Sequence, residues 1–381
     1  MLRHSTTGWD EGPVPVECQA GAFRIQDAQI VADTGSSGPP SSGTANLTIQ
    51  GNVLQGGFSA NQNVQLPQAG VQISRYKIGE QTSPIPRDRF IFNTSWFDGA
   101  RGPGQTQNVT RFVPGMEWML DDSSSVEVRL PFASTFDSNQ PTDANGQLLG
   151  ASNTEFGNAV VSYKELLYQN QNFALSAGLA LQLPTADDFV IQNSLFRITR
   201  SAESVNLMPF LGTLYTKDRF FLQTFTQLSF DTNGETVKAE NVRDGGSAII
   251  GRLQEAPLIF GDISTGYWFY QNNHYCRPTQ LTGLAGMLEL HMTQTLTDVD
   301  YIDTRALDYN FQFGQRNGSI GVANLTAGTT MEFGKQSVLT FAWVSPLTKT
   351  DKQFNGELQV LFSYYFDKLG SGFRSPRTAM R

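Results

Sequence analysis

Hydrophobic and polar residues alternate most clearly in the stretch from residue 352 to residue 366. Even positions such as Leu358 and Phe362 are hydrophobic, whereas most odd positions, among them Glu357 and Gln359, are polar. A period of two over this length predicts a β-strand with one apolar face and one polar face. The stretch exceeds the usual strand of a soluble domain and suits a tilted membrane crossing of about 9–11 residues.

The same alternation recurs along the chain from Asp88 onward, and no segment shows a helical hydrophobic stripe. Long and short connections between the strands alternate, as they do in transmembrane barrels, whereas a Greek-key sandwich has no reason to sort its loops in this way. The predicted fold is therefore all-β: an antiparallel up-and-down transmembrane β-barrel of about 12 strands, over residues 87–366. The expected strands are 89–98, 109–120, 124–132, 157–168, 173–183, 205–216, 219–230, 258–270, 280–292, 319–333, 337–345 and 353–366.

Residues 1–86 differ from the rest and predict an irregular N-terminal extension, periplasmic or plug-like. Residues 34–43 are rich in Gly, Ser and Pro and predict a flexible linker. Pro84 and Pro86 then stop any regular element before the first barrel strand. Residues 367–381 form a C-terminal tail beyond the last strand.

Composition and charge narrow the function. Only 16% of the residues are charged, and the net charge of −8 with a pI near 5.0 argues against a nucleic-acid partner. No apolar run reaches the roughly 18 residues of a membrane-spanning helix. Aromatic residues gather at strand ends, as in the interfacial girdles of membrane barrels. No signal peptide is visible at the start of this chain, although an outer-membrane protein requires one.

Strand parity assigns one set of charged residues to the inside of the barrel, because a Lys or Arg on the lipid face costs about 2–4 kcal/mol at the bilayer midplane. One interpretation is a polar, mildly cation-attracting passage. The other is a salt-bridged interior that fills a narrow barrel. The predicted lumen-lining residues are Arg111, Glu117, Glu127, Arg129, Lys164, Asp262, Glu289, His291, Glu332 and Glu357.

Catalysis is not predicted. The three histidines, His4, His274 and His291, lie in a tail, in a turn and on the inner face, and none adjoins a nucleophile motif. No glycine-rich phosphate loop or metal-ligand spacing occurs, so no cofactor or metal is expected. Cys18 and Cys276 are either two unpaired thiols or a disulfide that ties the N-terminal extension to the periplasmic side of the barrel.

Several short motifs carry a family resemblance. The run Tyr76-Lys-Ile-Gly-Glu-Gln-Thr-Ser-Pro-Ile-Pro-Arg-Asp-Arg89 leads into an aromatic first strand, and Val128-Arg-Leu-Pro-Phe132 and Gly178-Leu-Ala-Leu-Gln-Leu-Pro-Thr185 follow. With Pro114-Gly-Met-Glu117 and Pro346-Leu-Thr348, the chain resembles uncharacterised bacterial outer-membrane barrels. It is similar to barrels of the phenol meta-pathway transporter type. The resemblance implies an outer-membrane barrel and a passage for hydrophobic aromatic compounds.

The sequence thus predicts a bacterial outer-membrane barrel that allows passive or gated passage of small molecules, with aromatic compounds among the candidates. Its expected partners are outer-membrane lipid and small-molecule solutes, and the oligomeric state is left open. One alternative is a non-conducting structural or surface-interaction protein of the same membrane. A second alternative is a soluble β-sandwich binding module.

Overall fold

Among the residues that it describes, a computed structural model of the chain contains 23 strands and no helix. It describes residues 25–33, 45–53 and 56–64 as backbone strands, and 82–366 except 102–105, 135–153, 187, 193–195, 243–244, 273–278, 299, 308, 315–318, 335 and 349–353. No helix in the described part of the chain is long and apolar enough to span a membrane.

In chain order the strands are β1 (Ile25–Asp33), β2 (Ala45–Val53), β3 (Gly56–Val64), β4 (Arg89–Arg101), β5 (Thr106–Met119), β6 (Ser124–Arg129), β7 (Phe132–Ser134), β8 (Thr154–Phe156), β9 (Val160–Gln169), β10 (Phe173–Gln182), β11 (Phe189–Gln192), β12 (Phe196–Arg200), β13 (Asn206–Lys217), β14 (Phe220–Asp231), β15 (Glu235–Asn241), β16 (Ser247–Leu253), β17 (Leu258–Gln271), β18 (Leu281–Thr295), β19 (Tyr301–Ala306), β20 (Tyr309–Gly314), β21 (Gly321–Phe333), β22 (Ser337–Pro346) and β23 (Gly356–Tyr365).

Twelve of these strands pair in a closed antiparallel ring. The order is β4-β5-β6-β9-β10-β13-β14-β17-β18-β21-β22-β23, and β23 returns to β4 with Leu358 opposite Trp96 and Tyr364 opposite Phe90. A closed ring satisfies every backbone group between strands and leaves no edge. The predicted barrel of about 12 strands is confirmed, and the β-sandwich alternative is wrong because one sheet closes on itself instead of two sheets stacking.

The pattern of exposure confirms the two faces predicted for the last strand. Glu357, Gln359 and Ser363 are each 0% exposed, whereas Leu358 and Tyr364 on the opposite face are about 40% exposed, at 42% and 39%. The odd positions of β23 therefore point into the barrel, and its even positions point outward.

One predicted strand is interrupted, and at the same level of the wall its neighbour, predicted from residue 157, is preceded by the short additional strand β8 and begins at Val160. The stretch 124–132 stops at Leu130-Pro131, because proline has no N–H for the sheet, and resumes as β7. On the neighbouring strand, Gly157 separates β8 from β9 and donates its amide to the Pro131 carbonyl at 2.8 Å. The two breaks adjoin, so the sheet pairing resumes as β7 with β8 on one side of them and continues as β6 with β9 on the other.

Short turns join the strands at one end of the barrel. In the turn between β5 and β6, the Asp121 carboxylate accepts hydrogen bonds from the amides of Ser123 and Ser124, at 2.8 and 2.7 Å. These bonds, with that from the Ser123 hydroxyl, hold the pKa of Asp121 below its usual range. Between β13 and β14 the two-residue turn places Asp218 at φ +54°, a left-handed conformation that Asp tolerates.

The long connections at the other end carry sheets of their own. Strands β11-β12-β15-β16 form a four-stranded sheet from two of these connections, and β19 and β20 pair within a third. β1 runs parallel to β20, with Ala28 opposite Tyr309, and it continues through β2 to β3. The N-terminal strands therefore belong to a sheet built on a long connection.

Candidate functional site in the barrel interior

The ten residues assigned to the inside by parity lie on the inner face of the wall. Arg111 and Glu332 are half-buried. The other eight are buried, and they are Glu117, Glu127, Arg129, Lys164, Asp262, Glu289, His291 and Glu357. The structure divides the ten into separate groups on different parts of the ring.

A charged network occupies the wall formed by β4, β5, β6 and β9. Glu117 accepts from Arg89 Nε and from Lys164 Nζ, both at 2.7 Å. Arg89 Nη2 also reaches Glu127 Oε2 at 3.2 Å, and Arg129 Nε donates to Glu127 Oε1 at 2.5 Å. Two carboxylates and three cations thus pair in one buried cluster, which has one positive charge in excess.

Arg89 completes this network but was missing from the sequence prediction. Arg89 is the first residue of β4, and a charged residue at this position indicates the end of a strand as readily as an inward side chain. Its odd-numbered position does indicate an inward side chain, since Asn93 and Ser95, at odd positions of the same strand, are also buried. Carrying the alternation back to the first residue would have identified it.

Residues 82–87, which precede β4, lie inside the barrel. Lys164 Nζ donates to the carbonyl oxygen of Ser83 at 2.7 Å, and Gln223 Nε2 donates to that of Thr82 at 2.5 Å. Gln223 is the fourth residue of β14, so this contact lies near the end of the barrel where the short turns are.

The same segment reaches both sides of the ring. The amide of Arg87 donates to Glu117 Oε1 on β5 at 3.3 Å. Pro84 lies against Gly212 on β13, where an added Cβ would be 3.6 Å from the proline Cβ. Because β5 and β14 are separated by four strands on one side of a ring of twelve, a segment that contacts both crosses the interior near its diameter.

An apolar cluster covers the wall from β9 to β14. Its members are buried, and the rings of Phe210 and Phe225 stack with centroids 5.3 Å apart and planes at 30°. Phe210 is on β13 and Phe225 is on β14. Because these aromatic rings face inward, hydrophobic and polar residues alternate less regularly in β13 and β14 than in the other strands. The cluster consists of Val160, Ala180, Met208, Phe210 and Phe225. Phe97, expected in an outer aromatic girdle, also points inward and packs on Phe354.

The remaining half of the ring is acidic. The six consecutive strands β14, β17, β18, β21, β22 and β23, described throughout, contain no Lys and no Arg. Five acidic residues lie on them, and all five are on the inner face: Asp231, Asp262, Glu289, Glu332 and Glu357. The interior therefore has one side where charges of both signs form salt bridges and one side that is acidic.

His291 lies at the centre of the acidic side. Its Nδ1 is 2.7 Å from Asp262 Oδ1, and its Nε2 is 3.1 Å from both Glu289 Oε1 and Thr326 Oγ1. A hydroxyl, an imidazole and a carboxylate in this order are the components of a nucleophile–base pair. However, the β21 amides around Thr326 lie in a strand paired on both sides, so they are committed to the sheet and cannot stabilise an oxyanion. The absence of enzymatic activity stays a prediction.

Other predictions fall outside the described residues. Cys18 and Cys276, the candidate disulfide, lie there, as do the linker 34–43, the tail 367–381, His4 and His274.

No protein-family model matches the chain, and no curated protein matches it. Solved structures do show similarity. An outer membrane channel from Pseudomonas putida F1 is 11% identical with a TM-score of 0.46, covering 75% of this chain and 97% of its own. The NanC porin is 5% identical with a TM-score of 0.42, covering 73% and 99%. The toluene transporter TodX from P. putida is 9% identical with a TM-score of 0.39, covering 74% and 90%. The architecture assigned to the chain rests on its own strand pairing.

Proposed function

We propose that this chain is a bacterial outer-membrane barrel through which small molecules pass, with a preference for cations. The observation that carries the proposal is the acidic half of the interior, six adjacent strands whose inner face has carboxylates and no Lys or Arg. Rings of Asp and Glu attract cations, because charges of one sign within low-dielectric walls focus the field.

The outer surface supports a membrane location. Large apolar side chains, such as Leu288, Ile263 and Phe341, face outward on the barrel strands and are exposed. A contiguous apolar band of this kind is unfavourable in water and suits the hydrocarbon of a bilayer. Tyr168 and Tyr364, exposed near the short-turn end, have the amphipathic character of interfacial aromatics.

The segment 82–87 makes the passage a gated one in this proposal. It crosses the interior near the short turns and is held to β9 through Lys164, to β14 through Gln223 and to β5 through Glu117. The end of the N-terminal extension 1–86 is then plug-like and narrows the lumen, whereas its strands β1, β2 and β3 belong to the sheet on a long connection. The wall contacts are hydrogen bonds to backbone carbonyls, which form and break without rebuilding the sheet.

Reversal potentials test the cation preference. The purified chain is reconstituted in planar lipid bilayers under a KCl gradient. The sign of the reversal potential is expected to show that K⁺ is more permeant than Cl⁻. The double variant Glu332→Gln, Glu357→Gln shifts that potential toward zero, whereas Glu203→Gln, at an exposed position between β12 and β13, leaves it unchanged. A chain that carries no current favours the non-conducting structural protein, and an anion preference contradicts the proposal.

Aromatic solutes are a second candidate, favoured by the stacked Phe210 and Phe225 on the inner wall. Sequential contact with such rings offers an apolar solute a path beside the acidic side. Osmotic swelling of proteoliposomes compares a phenyl glucoside with a disaccharide of similar size. Faster entry of the phenyl glucoside supports this candidate, and equal rates remove it.

A further inference from the structure

Three neighbouring strands align polar side chains on the inner face of the acidic half. Asp262 on β17 lies opposite His291 on β18, and His291 lies opposite Asn324 on β21. Two residues away on the same faces of these strands, Glu289 on β18 lies opposite Thr326 on β21. The sheet register itself therefore assembles two carboxylates, an imidazole, an amide and a hydroxyl in one patch.

The donor atoms of this patch are close enough to share one ion. Single ligand atoms of Asp262, Glu289 and His291 all lie within 4.8 Å of one another. His291 contacts Asp262 through Nδ1 at 2.7 Å and Glu289 through Nε2 at 3.1 Å. All three residues are buried, so the carboxylates have lost most of their hydration.

Two buried side-chain oxygens beside His291, Asp262 Oδ2 and Asn324 Oδ1, have no hydrogen-bond partner among the described residues. Asp262 is 3% exposed and Asn324 is 6% exposed. Buried polar atoms are ordinarily paired, and each exception calls for an explanation such as a bound ion. Both atoms belong to residues directly flanking His291 in the sheet.

The charge around the patch favours a cation. No Lys or Arg occurs on β14, β17, β18, β21, β22 or β23, so His291 is the one basic side chain that these six strands contribute. With neutral imidazole the patch carries two negative charges, which a divalent ion balances.

We propose that Asp262, Glu289 and His291 bind a first-row divalent metal ion of the Zn²⁺ type, with the amide oxygen of Asn324 as the fourth ligand. Imidazole with carboxylates is a ligand set suited to Zn²⁺ and its neighbours, whereas Ca²⁺ and Mg²⁺ prefer oxygen alone. His291 gives up one of its two carboxylate contacts and turns that ring nitrogen to the ion, and any proton it holds there is released.

Calorimetric titration of the EDTA-treated full chain in detergent with Zn²⁺ tests this site. One ion per chain is expected. His291→Gln and Asp262→Asn each weaken binding at least about ten-fold, since the loss of outer partners alone costs about 10–100-fold. Glu203→Gln, an exposed acid outside the barrel strands, retains the wild-type affinity, and so does the double variant His4→Ala, His274→Ala, which removes the other histidines.

X-ray absorption of the Zn²⁺-loaded wild type gives an answer that needs no variant. The proposal expects one imidazole nitrogen with oxygen ligands. Three results would overturn the proposal: no binding of Zn²⁺, a Zn²⁺ coordination shell without imidazole, or wild-type Zn²⁺ affinity in a folded His291→Gln barrel. Heat-modifiable gel migration reports whether each barrel is folded. The outcome is independent of whether the barrel conducts, because binding is measured without transport.

Discussion

At the scale of single residues, the interior is governed by the cost of burying charge. Glu117 is fully buried and holds Arg89 and Lys164, each at 2.7 Å, with Ser125 Oγ at 2.8 Å. Removing one partner of a buried pair leaves the other charge without compensation, which is more costly than the pair is stabilising. The network therefore fixes the positions of its side chains more than it adds stability.

Glu117→Gln is expected to lower the free energy of unfolding by about 3–5 kcal/mol, because two buried cations lose their shared carboxylate. Urea unfolding of the barrel in lipid, followed by tryptophan fluorescence, measures the change. Glu203→Gln is the matched control. Glu203 pairs with Arg252 at 3.5 Å, and the two side chains are 47% and 57% exposed. Such surface ion pairs contribute little to the free energy of unfolding. Equal stability of the two variants would contradict a compensated buried network.

At the scale of strands, alternation predicted the barrel well. The twelve expected strands match the twelve ring positions, because period-two patterning and connection length are local properties. The strand expected at 124–132 is interrupted at Pro131, and the short strand β8 was not predicted. The pattern did not foresee the inward aromatics. Phe225 shares a face with Gln227, and hydropathy alone cannot tell an apolar lining from a lipid-facing surface.

The glycine at position 178 of β10 tests the packing of that apolar wall. A Cβ there would be 2.2 Å from Phe210 Cζ and 2.3 Å from the carbonyl oxygen of Tyr163, and the latter is backbone that cannot turn away. Gly178→Ala is expected to destabilise the barrel by about 1–3 kcal/mol, as overpacking does. The control is Gly261→Ala, whose Cβ meets only Met292 Cε at 4.0 Å. Urea midpoints that fall equally in both variants would mean that glycine content, not the Phe210 contact, is responsible.

At the scale of the whole molecule, three features could be recognised only in the folded barrel. The acidic half is visible only when β14 to β23 are placed side by side, although the absence of Lys and Arg from these strands is a sequence fact. The contact between Asp262, Glu289 and His291 depends on the register of the β17–β18 hairpin, which alternation alone does not fix. The crossing of residues 82–87 was also beyond sequence reasoning, because two prolines show only where an element stops and not where the chain then runs.

The crossing segment yields the last prediction, on the current that the barrel carries. Pro84 and Pro86 are both buried, and their rings restrict the backbone that spans from Gln223 to Glu117. Replacing both prolines by glycine loosens this span, so planar-bilayer recordings are expected to show a larger single-channel current or more frequent openings. Pro257→Gly, in a long connection, is the control for proline loss and leaves the current at the wild-type level. If the double variant conducts as the wild type does, residues 82–87 do not limit the passage, and the constriction lies elsewhere in the lumen.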